Sequence, residues 1–177
     1  PELDDRDLKG TNSASLLSVD GLPENRFQQG KDDYCVFYGA ANGIAFFGDL
    51  RIAEVIANRA ESSLDADNQM HALKQLLDSF ECAGWSVEAL GTRYEPSPYP
   101  TVIHILGSDG SGSHSITTVG NFIFDANDKY PRLLNQQNLD ICAGNEINGC
   151  TFAGVLNAYR LIPSRRICEK LATKLGK

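Results

Sequence analysis

The stretch 34–48 constrains the fold more than any other part of the chain, because it is apolar on almost every face of a helix. A helix that is apolar all round must be buried, so other elements have to cover it. Asp32 or Asp33 is expected to cap its start, and Gly48-Asp49 to end it. The apolar residues are Cys35, Val36, Phe37, Ala40, Ala41, Ile44, Ala45, Phe46 and Phe47.

The pattern changes from helical to strand-like spacing at Gly84. Amphipathic helices are predicted before this point, and β-rich runs separated by turn residues follow it. This order predicts an α+β fold with an antiparallel sheet. The predicted helices are 34–48, 50–61, 68–83 (capped by Asp65 or Asp67), 136–142 and one from 164, and the predicted strands are 85–90, 101–106, 115–119, 122–124 and 151–161.

The chain has 177 residues, which fits a single domain. We expect an irregular lead-in over 1–30, a helical lobe over 31–84 and an antiparallel sheet lobe over 85–177. No internal repeat divides the chain further.

Composition excludes several functional classes. The net charge is −7 and the cationic residues are scattered, which does not favour nucleic acid as a direct ligand. No apolar run reaches the roughly 18 residues of a membrane span. We therefore expect a soluble protein, either secreted or injected, or cytoplasmic; the sequence predicts no oligomeric state.

The five cysteines do not fall at metal-ligand spacing. We therefore expect neither a metal site nor a cofactor. Because the number is odd, at least one thiol is free or pairs between chains. One free thiol with two disulfides and five free thiols both remain open.

Cys35 stands at the start of the predicted buried helix, where the helix dipole favours the thiolate form. Thiolate is the nucleophilic form of cysteine. Gln29 lies a short distance upstream, and its side-chain amide could donate to an oxyanion formed at an attacked carbonyl. The segment therefore offers two parts of an acyl-transfer site.

A nucleophilic cysteine needs a base, and the chain has three histidines. His71 lies in an amphipathic helix and is interpreted as a surface residue. His104 lies within an apolar strand and is interpreted as a core residue. His114 follows the Gly/Ser-rich loop 107–113 and begins a strand, a place where folds expose catalytic groups.

A tight turn at Gly120-Asn121 predicts which residues accompany His114. Pairing across this turn sets Ile116 opposite Asp125, and His114 opposite Asn127. Because side chains alternate along a strand, all four share one face of the hairpin. Asp125 and Asn127 are both candidates for orienting the imidazole.

These segments resemble the papain-fold cysteine peptidases. Gln29-Gly-x-x-x-Tyr34-Cys35-x-x-Tyr38 is similar to the active-site helix of that superfamily, closest to compact bacterial members such as staphopains. His114-Ser-Ile-Thr-Thr-Val-Gly, followed by Phe-Ile-Phe-Asp125, is similar to its histidine strand and Asp/Asn strand. The second block also resembles the bacteriocin-leader-processing peptidases. The region between the blocks is not matched.

The resemblance implies a papain-like fold, in which an N-terminal helical lobe with a buried nucleophile helix packs on a C-terminal antiparallel sheet lobe. It implies that Cys35 is the nucleophile, that His114 is general base and then general acid, and that Asp125 orients His114. Gln29 and the Cys35 backbone N–H would form the oxyanion hole. The implied activity is hydrolysis of peptide bonds in a protein or peptide substrate, through a thioester acyl-enzyme.

Two departures from papain concern the third catalytic residue. His114 and Asp125 are closer in sequence than their counterparts in papain, which leaves Asn127 as the runner-up. The tryptophan that shields this contact in papain has no counterpart after Asp125, and Trp85 is the only tryptophan.

Other functions fit the same residues. Deamidases, transglutaminase-like enzymes and acyltransferases on related folds use the same acyl-enzyme with a different second nucleophile. A role as a toxin or effector is compatible with each of them. A non-catalytic peptide-binding domain is the further alternative.

Overall fold

The computed structural model describes residues 23–30, 33–61, 65–112, 114–144 and 149–174. The first part of the described chain is helical and the later part is mainly β-structure. In order, the elements are α1 (Cys35–Phe47), α2 (Leu50–Asn58), α3 (Ala66–Leu77), a 3₁₀ turn (Phe80–Cys82), β1 (Trp85–Ala89), β2 (Thr101–Gly107), β3 (Ser115–Val119), β4 (Phe122–Phe124), β5 (Arg132–Leu133), α4 (Gln136–Cys142), β6 (Phe152–Pro163) and α5 (Arg165–Lys174).

The strands form one six-stranded sheet in the order β1-β6-β2-β3-β4-β5. Every neighbouring pair is antiparallel. The α+β prediction is therefore confirmed. Strand β5 was not predicted, because two residues are too few to show an alternating pattern.

The β3–β4 hairpin has the predicted register. Val119 pairs with Phe122, and Thr117 pairs with Phe124. Pairing ends at Phe124, so His114 and Asp125 lie just outside the paired strands. The hairpin thus brings the two residues to the same end of the sheet.

Helix α1 is buried as its composition predicts, and it packs against α2 and α3 and against the sheet. Its residues share one apolar core with α2 and α3 and with side chains of β1, β2 and β6. Capping differs at the two ends. Gly48 ends the helix with a φ of 120°, whereas Tyr34, the residue before its first turn, makes no side-chain cap. Of the two predicted caps, Asp32 lies outside the described residues.

Two glycines bring α1 close to β3. A Cβ atom on Gly39 would lie 3.0 Å from Thr117 Oγ1, and one on Gly43 would lie 2.6 Å from Thr117 Cγ2 and 3.3 Å from Val119 Cγ2. Residues four apart share a helix face, so Cys35 lies on this face one turn before Gly39. Gly43 lies against Thr117 and Val119, whereas Gly39, one turn earlier, lies against Thr117. Residues nearer the start of α1 therefore face residues nearer the start of β3. Cys35 is thereby directed toward the end of the sheet that carries His114.

We expect Gly43→Ala to lower the free energy of unfolding by about 1–3 kcal/mol, because the added methyl group overpacks the interface with Thr117. Urea denaturation measures this change. Thr117→Ser removes the methyl group that the added Cβ atom would meet, so the double variant should recover most of the loss. A Gly43→Ala protein that is more stable than wild type, as helix propensity alone would require, would contradict this packing.

Several boundaries differ from the prediction. Helix α2 ends at Asn58 rather than at 61, and α3 ends at Leu77, followed by the 3₁₀ turn instead of continuing to 83. Asp65 caps α3 by accepting from the Asn68 N–H at 2.8 Å. Residues 1–22 of the predicted lead-in lie outside the described part of the chain.

Two further findings concern the cysteines and the helices. All five cysteines are free thiols. None of the described helices is long and apolar enough to cross a membrane.

Candidate active site

The His114 imidazole lies between a carboxylate and a thiol. Its Nε2 is 3.0 Å from Oδ1 and 3.0 Å from Oδ2 of Asp125. Its ring also interacts with the Cys35 side chain. Since Nε2 faces the carboxylate, Nδ1 is left for the thiol. The structure therefore brings Cys35, His114 and Asp125 into one connected group.

Asn127 does not lie opposite His114, where the register of the hairpin predicts it. Its side chain is exposed, and its backbone N–H donates to Asp125 Oδ1 at 3.0 Å. The chain turns immediately after β4, so residue 127 no longer follows the alternation of a strand. Asp125, which is 4% exposed, is the residue in contact with His114.

His114 and Asp125 each stabilise the charged form of the other. Burial opposes protonation of His114, but the charge and hydrogen bond of Asp125, together with Cys35, raise its pKa to about 10. Burial acts to raise the pKa of Asp125, yet the contact with His114 leaves it below its ordinary value. An aspartate–imidazolium pair is therefore the form at neutral pH.

Cys35 is 0% exposed. The pKa of its thiol is raised above the ordinary value, because burial raises it by more than the interaction with His114 lowers it. The nearby Asp33 carboxylate also raises it. Formation of a thiolate thus depends on the imidazolium of His114.

The segment before α1 is tied to that helix by a buried asparagine. Asn42 accepts from the Phe27 N–H at 2.9 Å and donates to the Phe27 carbonyl at 2.8 Å. Asn42 lies about two helical turns after Cys35 on the same face. The segment is therefore held against α1.

The same segment is tied to the turn that follows Asp125. The Gln29 N–H donates to the Ala126 carbonyl at 3.0 Å, and Asn25 Nδ2 donates to the Asp125 carbonyl at 3.2 Å. Gln29 is therefore held beside the residue next to Asp125. Its Oε1 is buried and has no hydrogen-bond partner among the described residues.

The first turn of α1 donates backbone hydrogen bonds to two side chains. The Cys35 N–H points to Asp33 Oδ1 at 3.4 Å, and the Val36 N–H donates to Gln69 Oε1 at 3.3 Å. Gln69 Nε2 donates in turn to the Asp33 carbonyl at 3.2 Å. Sequence reasoning missed Gln69; the available signal was a polar residue on the face of α3 that otherwise carries Met70, Leu73 and Leu77.

A second thiol lies near the aspartate. The Cys142 sulfur, at the end of α4, lies within 4.8 Å of a carboxylate oxygen of Asp125. Burial raises the pKa of Cys142 far above its ordinary value, so it stays protonated. Trp85 lies elsewhere, donating to Asp49 Oδ2 at 2.9 Å. The position of papain's shielding tryptophan is thus not filled by the tryptophan of this chain.

Three side chains with atoms that could bind a metal ion lie within 4.8 Å of one another: Asp125, Asp128 and Cys142. Each carboxylate already has a cationic partner. Asp125 contacts His114, and Asp128 receives Arg132 Nε at 2.6 Å and Nη2 at 3.1 Å. The negative charge of this group is balanced by side chains.

The other two histidines have different surroundings. His104 is buried on β2, and its Nε2 contacts the Gly112 carbonyl. Burial lowers the pKa of His104, so the neutral form is favoured. His71 lies on the exposed face of α3, 3.8 Å from Asp67.

We expect Asp125→Asn to lower the pKa of His114 from about 10 toward or below 6.5, because burial then acts without the carboxylate. NMR titration of the imidazole C–H signals measures this value, and only three histidines contribute. Asn127→Ala is the matched control, since it keeps the backbone N–H. A variant whose His114 still titrated near pH 10 would contradict the pairing.

The pair also makes stability depend on pH. The folded pKa of His114 is raised, so its contribution is complete below 6.5 and is lost as the pH rises through about 10. The folded pKa of Asp125 is lowered, so its contribution is present above 3.8 and is lost as the pH falls through the lowered value. The stability difference between wild type and Asp125→Asn should be largest between these limits.

A thiol, an imidazole and a carboxylate in this order form the arrangement of a nucleophile, its base and the group that orients the base. Comparison with known proteins adds no assignment to it. No family model matches the chain. Neither the search of curated proteins nor that of solved structures finds a significant match.

Proposed function

We propose that the protein is a papain-like cysteine peptidase that hydrolyses peptide bonds through Cys35, His114 and Asp125. One observation carries the proposal: the His114 ring contacts the Asp125 carboxylate through Nε2, at 3.0 Å, while it also interacts with the Cys35 side chain. Cys35 stands at the N-terminus of a buried helix. This arrangement supplies a nucleophile, a proton carrier and an orienting group.

The proposed reaction has two steps. The Cys35 thiolate attacks the peptide carbonyl carbon, and the carbonyl oxygen takes the negative charge. His114 then gives its proton to the leaving amine as the C–N bond breaks, which leaves a thioester on Cys35. In the second step His114 takes a proton from water and the resulting hydroxide attacks the thioester. The C–S bond breaks, the carboxylic acid is released, and the Cys35 thiolate and His114 imidazolium are restored.

The oxyanion donors proposed are Gln29 Nε2 and the Cys35 N–H. Support comes from the backbone bond that holds Gln29 next to Ala126, and from the position of the Cys35 N–H in the first turn of α1. That N–H reaches Asp33 only at 3.4 Å, a long and therefore weak hydrogen bond. Substrate would replace Asp33 as its partner.

The proposal is tested by exposing a peptide library of broad sequence to the wild-type protein and to Cys35→Ala. Mass spectrometry of the products identifies the chemistry. New peptide termini with the wild type alone support a peptidase. Conversion of Gln to Glu without cleavage, cross-linked peptides, or retention of unmodified peptides by both proteins would each overturn it, in favour of a deamidase, a transglutaminase-like enzyme or a binding domain. No change in the library would overturn it as well.

A further inference from the structure

Gln69 is a fully buried amide that contacts the chain on both sides of Cys35. It lies on α3 and is 0% exposed, among apolar residues of the helical core. Its Oε1 accepts from the Val36 N–H at 3.3 Å, and its Nε2 donates to the Asp33 carbonyl at 3.2 Å. The two contacts are therefore with backbone groups that precede and follow Cys35 in the chain.

The first turn of α1 needs these contacts. The first N–H groups of a helix have no partner within the helix, and Tyr34 makes no side-chain cap. An amide carries an acceptor and a donor in one rigid plane, so Gln69 satisfies a donor and an acceptor of the backbone together. Neither a leucine nor a glutamate of similar size does both.

We propose that Gln69 is a positioning residue for Cys35. It fixes the backbone from Asp33 to Val36, so that the Cys35 sulfur faces His114 and the Cys35 N–H faces the carbonyl oxygen under attack. This inference rests on the proposed peptidase function and extends it. It gives α3, which carries none of the three proposed catalytic residues, a defined part in the site.

The test needs no substrate. Iodoacetamide alkylation of Cys35 is followed by mass spectrometry of its peptide over a range of pH, because the reaction reports the thiolate. The variants are Gln69→Leu and Gln69→Met, which both lose the two contacts at similar volume and add no charge. Asp49→Asn is the matched control. It weakens a buried contact with Trp85 at the far end of α1, about 20 Å from Cys35.

We expect the pH midpoint of Cys35 alkylation to rise by about one unit in both Gln69 variants, a tenfold loss of thiolate below the midpoint. Asp49→Asn should lower the melting temperature and leave the midpoint unchanged. Gln69 variants that lose stability but keep the wild-type midpoint would overturn the inference, because the role would then be structural only. A methionine variant that folds keeps the test decisive if the leucine variant does not.

The same experiment separates this inference from the proposed function. If Cys35 of the wild type reacts no faster than Cys82 at any pH, the peptidase proposal fails and the positioning role fails with it. If wild-type Cys35 is reactive and the Gln69 variants match it, only the positioning role fails.

Discussion

Cys35→Ala is expected to abolish peptide hydrolysis, with kcat/KM reduced by at least about 10⁴-fold. The sulfur is the atom that forms the covalent bond to the substrate in the proposed reaction, and no neighbouring group replaces it. Cys142 is the nearest alternative thiol in the described site, but burial holds its pKa so high that it remains protonated. Initial rates with a cleavable peptide found in the library measure the effect.

The control for this variant is Cys82→Ala. Cys82 is also 0% exposed and belongs to the same apolar core, so both variants remove a sulfur atom from a packed interior. Their melting temperatures should fall by similar amounts, while only Cys35→Ala loses activity. Hydrolysis that survives in a folded Cys35→Ala protein would show that the nucleophile is assigned wrongly.

His114→Ala is expected to cause a loss of similar size, because the imidazole acts at two points. It is the proton carrier of both proposed steps. It is also the group that lowers the pKa of the Cys35 thiol against burial and against Asp33. Removing it leaves only influences that raise the thiol pKa, so the nucleophile is deactivated along with the base. Both kcat and the rate of Cys35 alkylation near pH 7 should fall.

His104→Ala and His71→Ala are the matched comparisons. His104 contacts the Gly112 carbonyl and is favoured in its neutral form, so its loss is expected to affect the loop before His114 far more than the chemistry. His71 is exposed, so His71→Ala should leave the activity unchanged. Activity lost in His104→Ala but retained in His114→Ala would reverse the assignment of the base.

The parts of the structure that local rules control could be predicted from sequence. The apolar stretch that forms α1 could only be a buried helix, because it offers no polar face to solvent. The β3–β4 hairpin follows from a two-residue turn, which sets the register of every pair beyond it. That register alone is enough to predict that His114 and Asp125 lie close together on one face of the hairpin.

The predicted pairing of β3 with β4 does not continue past the end of β4. It set Asn127 opposite His114, but pairing stops at Phe124 and the chain turns, so the side chain of Asn127 is exposed. A hydrophobic pattern indicates that a strand exists and leaves its last residue uncertain. The choice between Asp125 and Asn127 depended on that boundary.

Contacts between a side chain and a distant backbone could not be predicted. Asn42 binds the backbone of Phe27, Asn25 that of Asp125, and Gln69 that of Asp33 and Val36. None of these follows a helical or strand period, because the partner is a main-chain group that every residue carries. The contacts that surround the site could therefore be identified only from the structure.

The contact of Asn25 with Asp125 joins positions 100 residues apart in the chain. Such distant pairings form late in folding, since a long loop must close before they contribute any stability. The residues around Cys35 are synthesised early, but His114 and Asp125 emerge from the ribosome only after the helical part is complete. A nascent or partly folded chain therefore carries Cys35 before His114 and Asp125 can reach it, so under the proposed function it would be unable to cleave itself or its neighbours before folding is finished.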